Sequence, residues 1–167
     1  DQCCAVRGRR SAEQLAAAYP EETWECSHLG GDRFAATMVL FPHGLAYGRV
    51  DQTDAADLAT RYLSGRVDEE YLRGRVSLTH PVQAAQHFAR VQLGDDRVEA
   101  YAPLSERRTS EPGEAQERHR VVLAARDREV VVDLLVASSE PLLSTCAATR
   151  PGRVREWQLE SLQVHER

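Results

Sequence analysis

The chain has 167 residues, of which 42% are hydrophobic, and this is enough to build one domain with a buried core. Its formal net charge of −5 argues against nucleic acid as the main partner, because a basic face is needed to displace counterions from phosphates. The apolar runs fall well short of the ~20 residues that span a bilayer, so we predict no membrane partner.

The cysteine content points to a reducing compartment. A secreted disulfide scaffold would be shorter and richer in cysteine than a chain that has only Cys3, Cys4, Cys26 and Cys146. We therefore expect a cytoplasmic protein, in which such cysteines are metal ligands, reactive thiols or small buried side chains. Cys146 follows a strand-like run on its own, and we expect it to be structural.

The N-terminal part of the chain predicts a loop, a helix and a short strand. Residues 1–10 have the character of a loop, and Ser11 is the expected N-cap of a helix, with Gln14 completing a capping box. Pro20 marks the end of this helix. Residues 23–27 are then expected to form a short strand.

A hairpin and a second helix follow. Residues 34–41 and 45–50 are strand-like, and the turn signal PHG stands between them. Thr53 or Asp54 is the expected cap of the second helix, and Gly65 is its expected C-terminal end.

A third helix is predicted to start at residues 79–81, where a proline occupies an early helical position. Apolar residues recur at helical spacing and define its expected buried face: Ala84, Ala85, Phe88 and Val91.

The C-terminal part predicts mainly strands. Residues 97–104 form one extended run, and residues 105–118 are polar and expected to be mobile. Residues 119–125 and 129–138 predict two strands joined by a tight turn, and residues 151–162 predict a last edge strand. Taken with the interleaved strands and helices before it, this pattern predicts an α/β protein with a central sheet.

The loop between the first strand and the hairpin concentrates the residue types of a metal site. Cys26, His28 and Asp32 lie within seven positions, and the diglycine Gly30-Gly31 stands between the histidine and the aspartate. Thiolate and imidazole together suit zinc or an iron–sulfur cluster, and glycines let the backbone turn tightly beside a metal. A thiol site or a plain turn would also account for this pattern.

A second group of thiols, Cys3 and Cys4, lies just before the predicted first helix. The start of a helix stabilises a thiolate, so this position favours ligation or thiol reactivity.

Four segments carry a resemblance to a known family. The segments DQCCAVRGR and WECSHLGGDRFAATMVLFPHGLAYGRV, followed by YLRGRVSLTHPVQAAQHFAR and PLLSTCAATRPGRVREWQLESL, resemble the sucrase/ferredoxin-like family. Its members look like thioredoxin-fold 2Fe–2S ferredoxins. The resemblance implies an α/β, thioredoxin-like fold whose first strand is missing through N-terminal truncation, with a β-rich C-terminal extension. It places a ferredoxin core at residues 1–95 and a β-rich portion at residues 96–167 on the same sheet, as a single domain overall.

The resemblance also implies a ligand set. Cluster-binding members use two cysteines and two histidines, and on this sequence the matching positions are Cys4, with Cys3 as a close competitor, His28 and Asp32. The remaining cysteine would lie upstream of the first residue, and Cys26 is a less favoured substitute. Asp32, which stands where a histidine is implied, is either a ligand or an acceptor that orients His28.

We therefore expect a small electron-transfer protein with a 2Fe–2S cluster and a redox partner protein, and leave a homodimer open. The alternative is a cluster-free binding or scaffold domain that has lost the metal site, and a thiol enzyme using Cys3 or Cys4 ranks last. We do not expect glycoside hydrolysis, because no pair of carboxylates forms a recognisable acid–nucleophile motif.

Overall fold

The computed structural model describes residues 2–111, 113–145 and 148–166, with the backbone alone for residues 2–4. Contacts within the chain divide it into two compact units. The first unit comprises Asp1–Val76 and Leu143–Gly152, and the second comprises Ser77–Leu142 and Arg153–Arg167.

The first unit combines two helices with a small antiparallel sheet. Its elements in chain order are helix α1 (Gln2–Ala18), strands β1 (Thr37–Leu40) and β2 (Leu45–Gly48), helix α2 (Ala55–Leu63) and strand β3 (Leu72–Arg75). The strands pair in the order β1-β2-β3. Helix α1 packs on α2, where the Tyr19 hydroxyl lies 2.7 Å from Thr60 Oγ1.

The first helix begins earlier than the sequence predicts. The predicted loop at residues 1–10 is helical from Gln2 onward, and Cys3 and Cys4 therefore lie within α1 rather than before it. Ser11 is buried in the middle of this helix and does not cap it. Ser11 cannot cap this helix because helical residues precede it, and Gln14, its expected partner, accepts a hydrogen bond from the backbone N–H of Ala55.

The predicted strand at residues 23–27 is also wrong, because this segment has no regular secondary structure and pairs with no strand in the described ranges. The predicted hairpin is confirmed, with β1 and β2 joined by a turn. The second helix is confirmed as well. Asp54 is its N-cap, and its carboxylate accepts a hydrogen bond from the backbone N–H of Ala56 at 2.8 Å.

The second unit packs one helix on a four-stranded antiparallel sheet. Its elements are helix α3 (His80–Leu93) and strands β4 (Ala102–Arg108), β5 (Arg118–Ala125), β6 (Arg128–Ser138) and β7 (Arg155–Glu166), which pair in the order β4-β5-β6-β7. The core lies between helix and sheet and includes Val82, Ala85, Ala89, Tyr101, Val121, Leu123, Val130, Val132 and Leu134. Alternate residues of β5 and β6 supply half of its buried residues, as expected for strands with one covered face.

The predicted elements of this unit are largely confirmed, with three corrections. The run predicted as extended at residues 97–104 is a strand only from Ala102 onward, because a turn precedes it. The third helix starts after Thr79 as predicted, but Val91 is 61% exposed and does not join the buried face. The polar segment 105–118 is not wholly irregular, because β4 continues through it to Arg108. The β5–β6 pair and the edge strand β7 are as predicted.

The described part of the chain is therefore a mixed α/β structure with three α-helices and two antiparallel sheets. The strands form two sheets, and α3 lies in the second unit. The thioredoxin-like fold stays a prediction. None of the helices in the described ranges is long and apolar enough to cross a membrane.

Candidate functional site

The diglycine loop that precedes β1 is held by its own backbone. Gly30 and Gly31 adopt positive φ angles of 84° and 73°, a conformation that residues with a side chain rarely adopt. The chain then forms a 3₁₀ turn at Asp32–Phe34, in which the Phe34 N–H donates to the Gly31 carbonyl at 2.7 Å. The two glycines thus reverse the chain and allow His28 and Asp32 to approach each other.

His28 and Asp32 lie together at this turn. The Nε2 atom of His28 is 3.6 Å from Oδ1 of Asp32, and their side chains are 49% and 15% exposed. The carboxylate is therefore fixed in a sheltered position, while the imidazole approaches it from the solvent side. When protonated, His28 forms an ion pair with Asp32 across this distance.

The same spacing fits two ligands of one metal ion. Two ligand bonds of about 2.0–2.2 Å that meet at a tetrahedral angle would separate the ligand atoms by roughly 3.4 Å. The observed distance of 3.6 Å between Nε2 of His28 and Oδ1 of Asp32 is close to this value. The pair therefore suits a shared ion without a change in the backbone.

The third candidate on this loop, Cys26, is exposed and interacts with the backbone. Its Sγ atom donates to the carbonyl oxygen of His28 at 3.7 Å. Among the side chains that the structure describes, no three His, Cys, Asp or Glu residues converge on a common point. Cys26 therefore does not complete a site with His28 and Asp32 in this arrangement.

The remaining thiols lie where the structure describes no side chain. Cys3 and Cys4 belong to the first turn of α1, and Cys146 lies outside the described residues. A nearby contact links the start of α1 to the candidate loop, because Arg7 donates to the carbonyl oxygen of Ala35 at 3.2 Å. Ala35 is three residues after Asp32, and Arg7 is three residues after Cys4.

The sequence analysis missed a group of arginines around Phe34. The guanidinium carbon of Arg33 lies 4.5 Å from the centre of the Phe34 ring, and that of Arg73 lies 5.2 Å from it. These distances are typical of cation–π contacts. The arginine–glycine–arginine segment of residues 73–75 was the available sequence signal, but nothing in the sequence connects it to Phe34.

A family model matches the N-terminal part of the chain. The model of the sucrase/ferredoxin-like family matches residues 1–74. Neither a curated protein nor a solved structure matches the chain.

The sucrase/ferredoxin-like match covers the part of the chain that matters most for the site. It includes Cys4, His28 and Asp32, together with Phe34 and Arg73. It supports the resemblance drawn from the sequence for the first unit. The strands of the second unit lie beyond the matched residues.

Proposed function

We propose that this chain is a small cytoplasmic redox protein that carries electrons to a partner protein through a 2Fe–2S cluster, with Cys4, His28 and Asp32 as ligands. The observation that carries the proposal is the 3.6 Å pairing of His28 and Asp32 at the diglycine turn. This turn lies within the residues that match the sucrase/ferredoxin-like family. The donor types also fit, because imidazole, carboxylate and thiolate all bind iron, and these residues supply three of the four ligands that the family resemblance implies.

The residues of the chain have separate tasks in this proposal. His28 and Asp32 hold one side of the site, and Gly30 and Gly31 keep them at ligand spacing. Cys4 supplies a thiolate from the first turn of α1, where the helix dipole favours the negative charge. When bound, the cluster supplies one-electron transfer, and the protein determines its potential through ligand type, hydrogen bonds and burial.

Asp32 is the residue that distinguishes this site from the one that the family resemblance implies. A carboxylate is a harder, negatively charged ligand than imidazole, so we expect it to lower the reduction potential of a bound cluster. If it orients His28 instead, its carboxylate accepts a hydrogen bond from the ring and leaves the other nitrogen to bind metal. Both roles need the carboxylate close to the ring, which is the arrangement observed.

The test is reconstitution of the purified chain with iron and sulfide under anaerobic conditions. We expect visible charge-transfer bands and, from the cluster formula, two irons and two sulfides per chain. His28→Ala and Cys4→Ser should lose the colour, because each removes a proposed ligand. Cys26→Ser should keep it, which separates the two thiol candidates.

The control is His165→Ala, which removes an exposed histidine from β7 in the second unit. It should bind as much iron as the unaltered chain. Circular dichroism of each variant shows whether a loss of colour follows from a loss of fold. A colourless protein with normal helix content after reconstitution would overturn the proposal.

A second candidate function is a cluster-free binding domain. The observation that favours it is Asp32 itself, because the family resemblance implies a histidine at this position. In that case His28 and Asp32 form a surface ion pair that contributes little to stability. His28→Ala should then change neither fold nor partner binding. The same reconstitution experiment therefore separates the two functions.

A further inference from the structure

The acidic chain carries a local cluster of positive charge on its first unit. The formal net charge is −5, yet Arg33 and Arg73 lie over the ring of Phe34, and the charge of Arg49 acts on that of Arg73. We call these three residues the arginine cluster. Arg33 and Arg73 contact the ring itself, and all three side chains are exposed.

A backbone hydrogen bond joins Arg49 to Phe34. Its N–H donates to the carbonyl oxygen of Phe34 at 2.6 Å. Arg49 has φ 60°, in the left-handed region that residues other than glycine, asparagine and aspartate seldom occupy. An arginine thus stands at a position where the backbone alone would favour glycine.

The hydrogen bonds that the Arg73 side chain makes go to backbone carbonyls. Arg73 donates through Nη2 to the Glu70 carbonyl and through Nε to the Tyr71 carbonyl, which are neutral acceptors. Glu69 is the acidic group that acts on Arg73.

Burial of the Arg73 guanidinium lowers its pKa, the charge of Arg49 lowers it further, and Glu69 opposes both effects. Two like charges are therefore held near each other in spite of their repulsion. An anion that bound between them would relieve that repulsion.

We propose that the arginine cluster docks an acidic surface of a protein partner. All three arginines are exposed residues, although the Arg73 guanidinium is partly buried, and such exposure suits an extended surface better than an enclosed small anion. The preceding loop also exposes Trp24 by 85% and Leu29 by 51%. Arginine and tryptophan are enriched in protein interfaces, where exposed apolar residues contribute contact area and charges steer the approach.

This inference goes beyond electron transfer, because it holds whether or not the chain binds iron. Arg33 directly follows Asp32 in the 3₁₀ turn, so a partner bound at the cluster would lie beside the candidate ligands. An acidic partner surface would therefore suit either candidate function.

The test uses a fluorescein-labelled octaglutamate peptide as the probe and measures its fluorescence anisotropy with the full chain at low ionic strength. We expect binding that weakens strongly at high salt, because exposed charges are screened over about 10 Å at 0.1 M. Arg33→Gln and Arg49→Gly should each weaken binding by about two- to five-fold. Glycine suits the left-handed backbone, so Arg49→Gly should remain folded.

Matched controls lie in the second unit. Arg126 is exposed with φ 56°, so Arg126→Gly repeats the backbone and charge change of Arg49→Gly away from the cluster. Arg128→Gln does the same for Arg33→Gln. Both controls should bind the peptide as the unaltered chain does.

Three outcomes would overturn the proposal: no peptide binding at low salt, equal losses in the controls and in the cluster variants, or displacement of the peptide by inorganic phosphate at constant ionic strength. The last outcome would assign the cluster to a small anion. None of these measurements needs iron, so the docking proposal can be contradicted without contradicting the proposed cluster, and the reverse is also true.

Discussion

Gly48 lies directly against Phe34. A Cβ atom at position 48 would stand 2.7 Å from the Cβ atom of Phe34 and 3.2 Å from its carbonyl oxygen, and it would stand 3.3 Å from Cγ of Arg73. The first of these distances is shorter than real Cβ contacts, and the carbonyl belongs to the backbone, which cannot simply rotate away. The absence of a side chain in β2 therefore allows the segment after the diglycine turn to pack on the sheet.

We predict that Gly48→Ala destabilises the chain by about 1–3 kcal/mol, the usual effect of forcing an extra group into a packed site. Urea unfolding followed by circular dichroism measures this change. The matched control is Gly152→Ala in the same unit, where a Cβ atom meets nothing within 4 Å. That control should change the free energy of unfolding by less than about 0.5 kcal/mol. Equal effects of the two substitutions would contradict the close packing at Gly48.

Gly8 provides the opposite case. It lies inside α1, and a Cβ atom there would meet nothing within 4 Å. Glycine in a helix interior is less favourable than alanine, so Gly8→Ala should raise the free energy of unfolding by about 0.5–1 kcal/mol. A decrease would indicate that residues 2–10 are not helical, as the sequence analysis had predicted.

The role of Asp32 can be resolved by two substitutions. Asp32→Ala should weaken retention of iron by about 10–100-fold, whether the carboxylate binds the metal or orients His28. Asp32→His restores the residue that the family resemblance implies and should retain iron. Competition with a chelator after reconstitution measures both effects. Asp57→Asn, which alters an exposed carboxylate in the first turn of α2, serves as the control and should leave retention unchanged.

The pair formed by Asp95 and Arg97 predicts a pH dependence of stability. Side-chain hydrogen bonds from Arg97 are the main cause that lowers the pKa of Asp95 from 3.8 to about 2. A carboxylate with a depressed pKa contributes stability above its unfolded pKa and loses it as the pH falls toward the folded value. The stability difference between the unaltered chain and Asp95→Asn should therefore be constant above about pH 5 and shrink between pH 4 and pH 2.

Thermal unfolding across this range measures that difference. Asp127→Asn, at the exposed β5–β6 turn, should show no such pH-dependent gap. If the stability difference between the unaltered chain and Asp95→Asn stays the same from pH 7 to pH 2, the Asp95 carboxylate is not ionised preferentially in the folded state.

Elements with strong local signals were predictable from the sequence. The hairpin followed from two strand-like runs around a turn, and the second helix followed from the capping residue Asp54, which bonds to a neighbour only two residues away. The start of α1 was not predicted, because the capping pattern of Ser11 and Gln14 lies inside the helix rather than at its start. Gln14 contacts Ala55, which lies 41 residues further along the chain.

The buried face of α3 shows the same limit. Gln86 and Arg90 are polar, yet they are 5% and 6% exposed because they donate to the backbone carbonyls of Tyr101 and Ala100. An apolar pattern alone assigns such residues to the surface.

The candidate site was predictable where its parts are close in sequence and not where they are distant. His28 and Asp32 are four residues apart, and the diglycine between them indicated that they meet. The arginine cluster draws its members from three separate segments around Phe34. No local pattern connects those segments, so only the folded chain revealed it.

The assignment of Leu143–Gly152 to the first unit has a consequence for dissecting the protein. A fragment that ends at Val76 would contain the family-matched residues but would lack Leu143–Gly152, ten residues that belong to the same unit. A fragment that starts at Ser77 would still carry those ten residues, because they lie between β6 and β7 of the second unit. Neither unit corresponds to one continuous segment of the chain, so experiments on either unit should use the intact polypeptide.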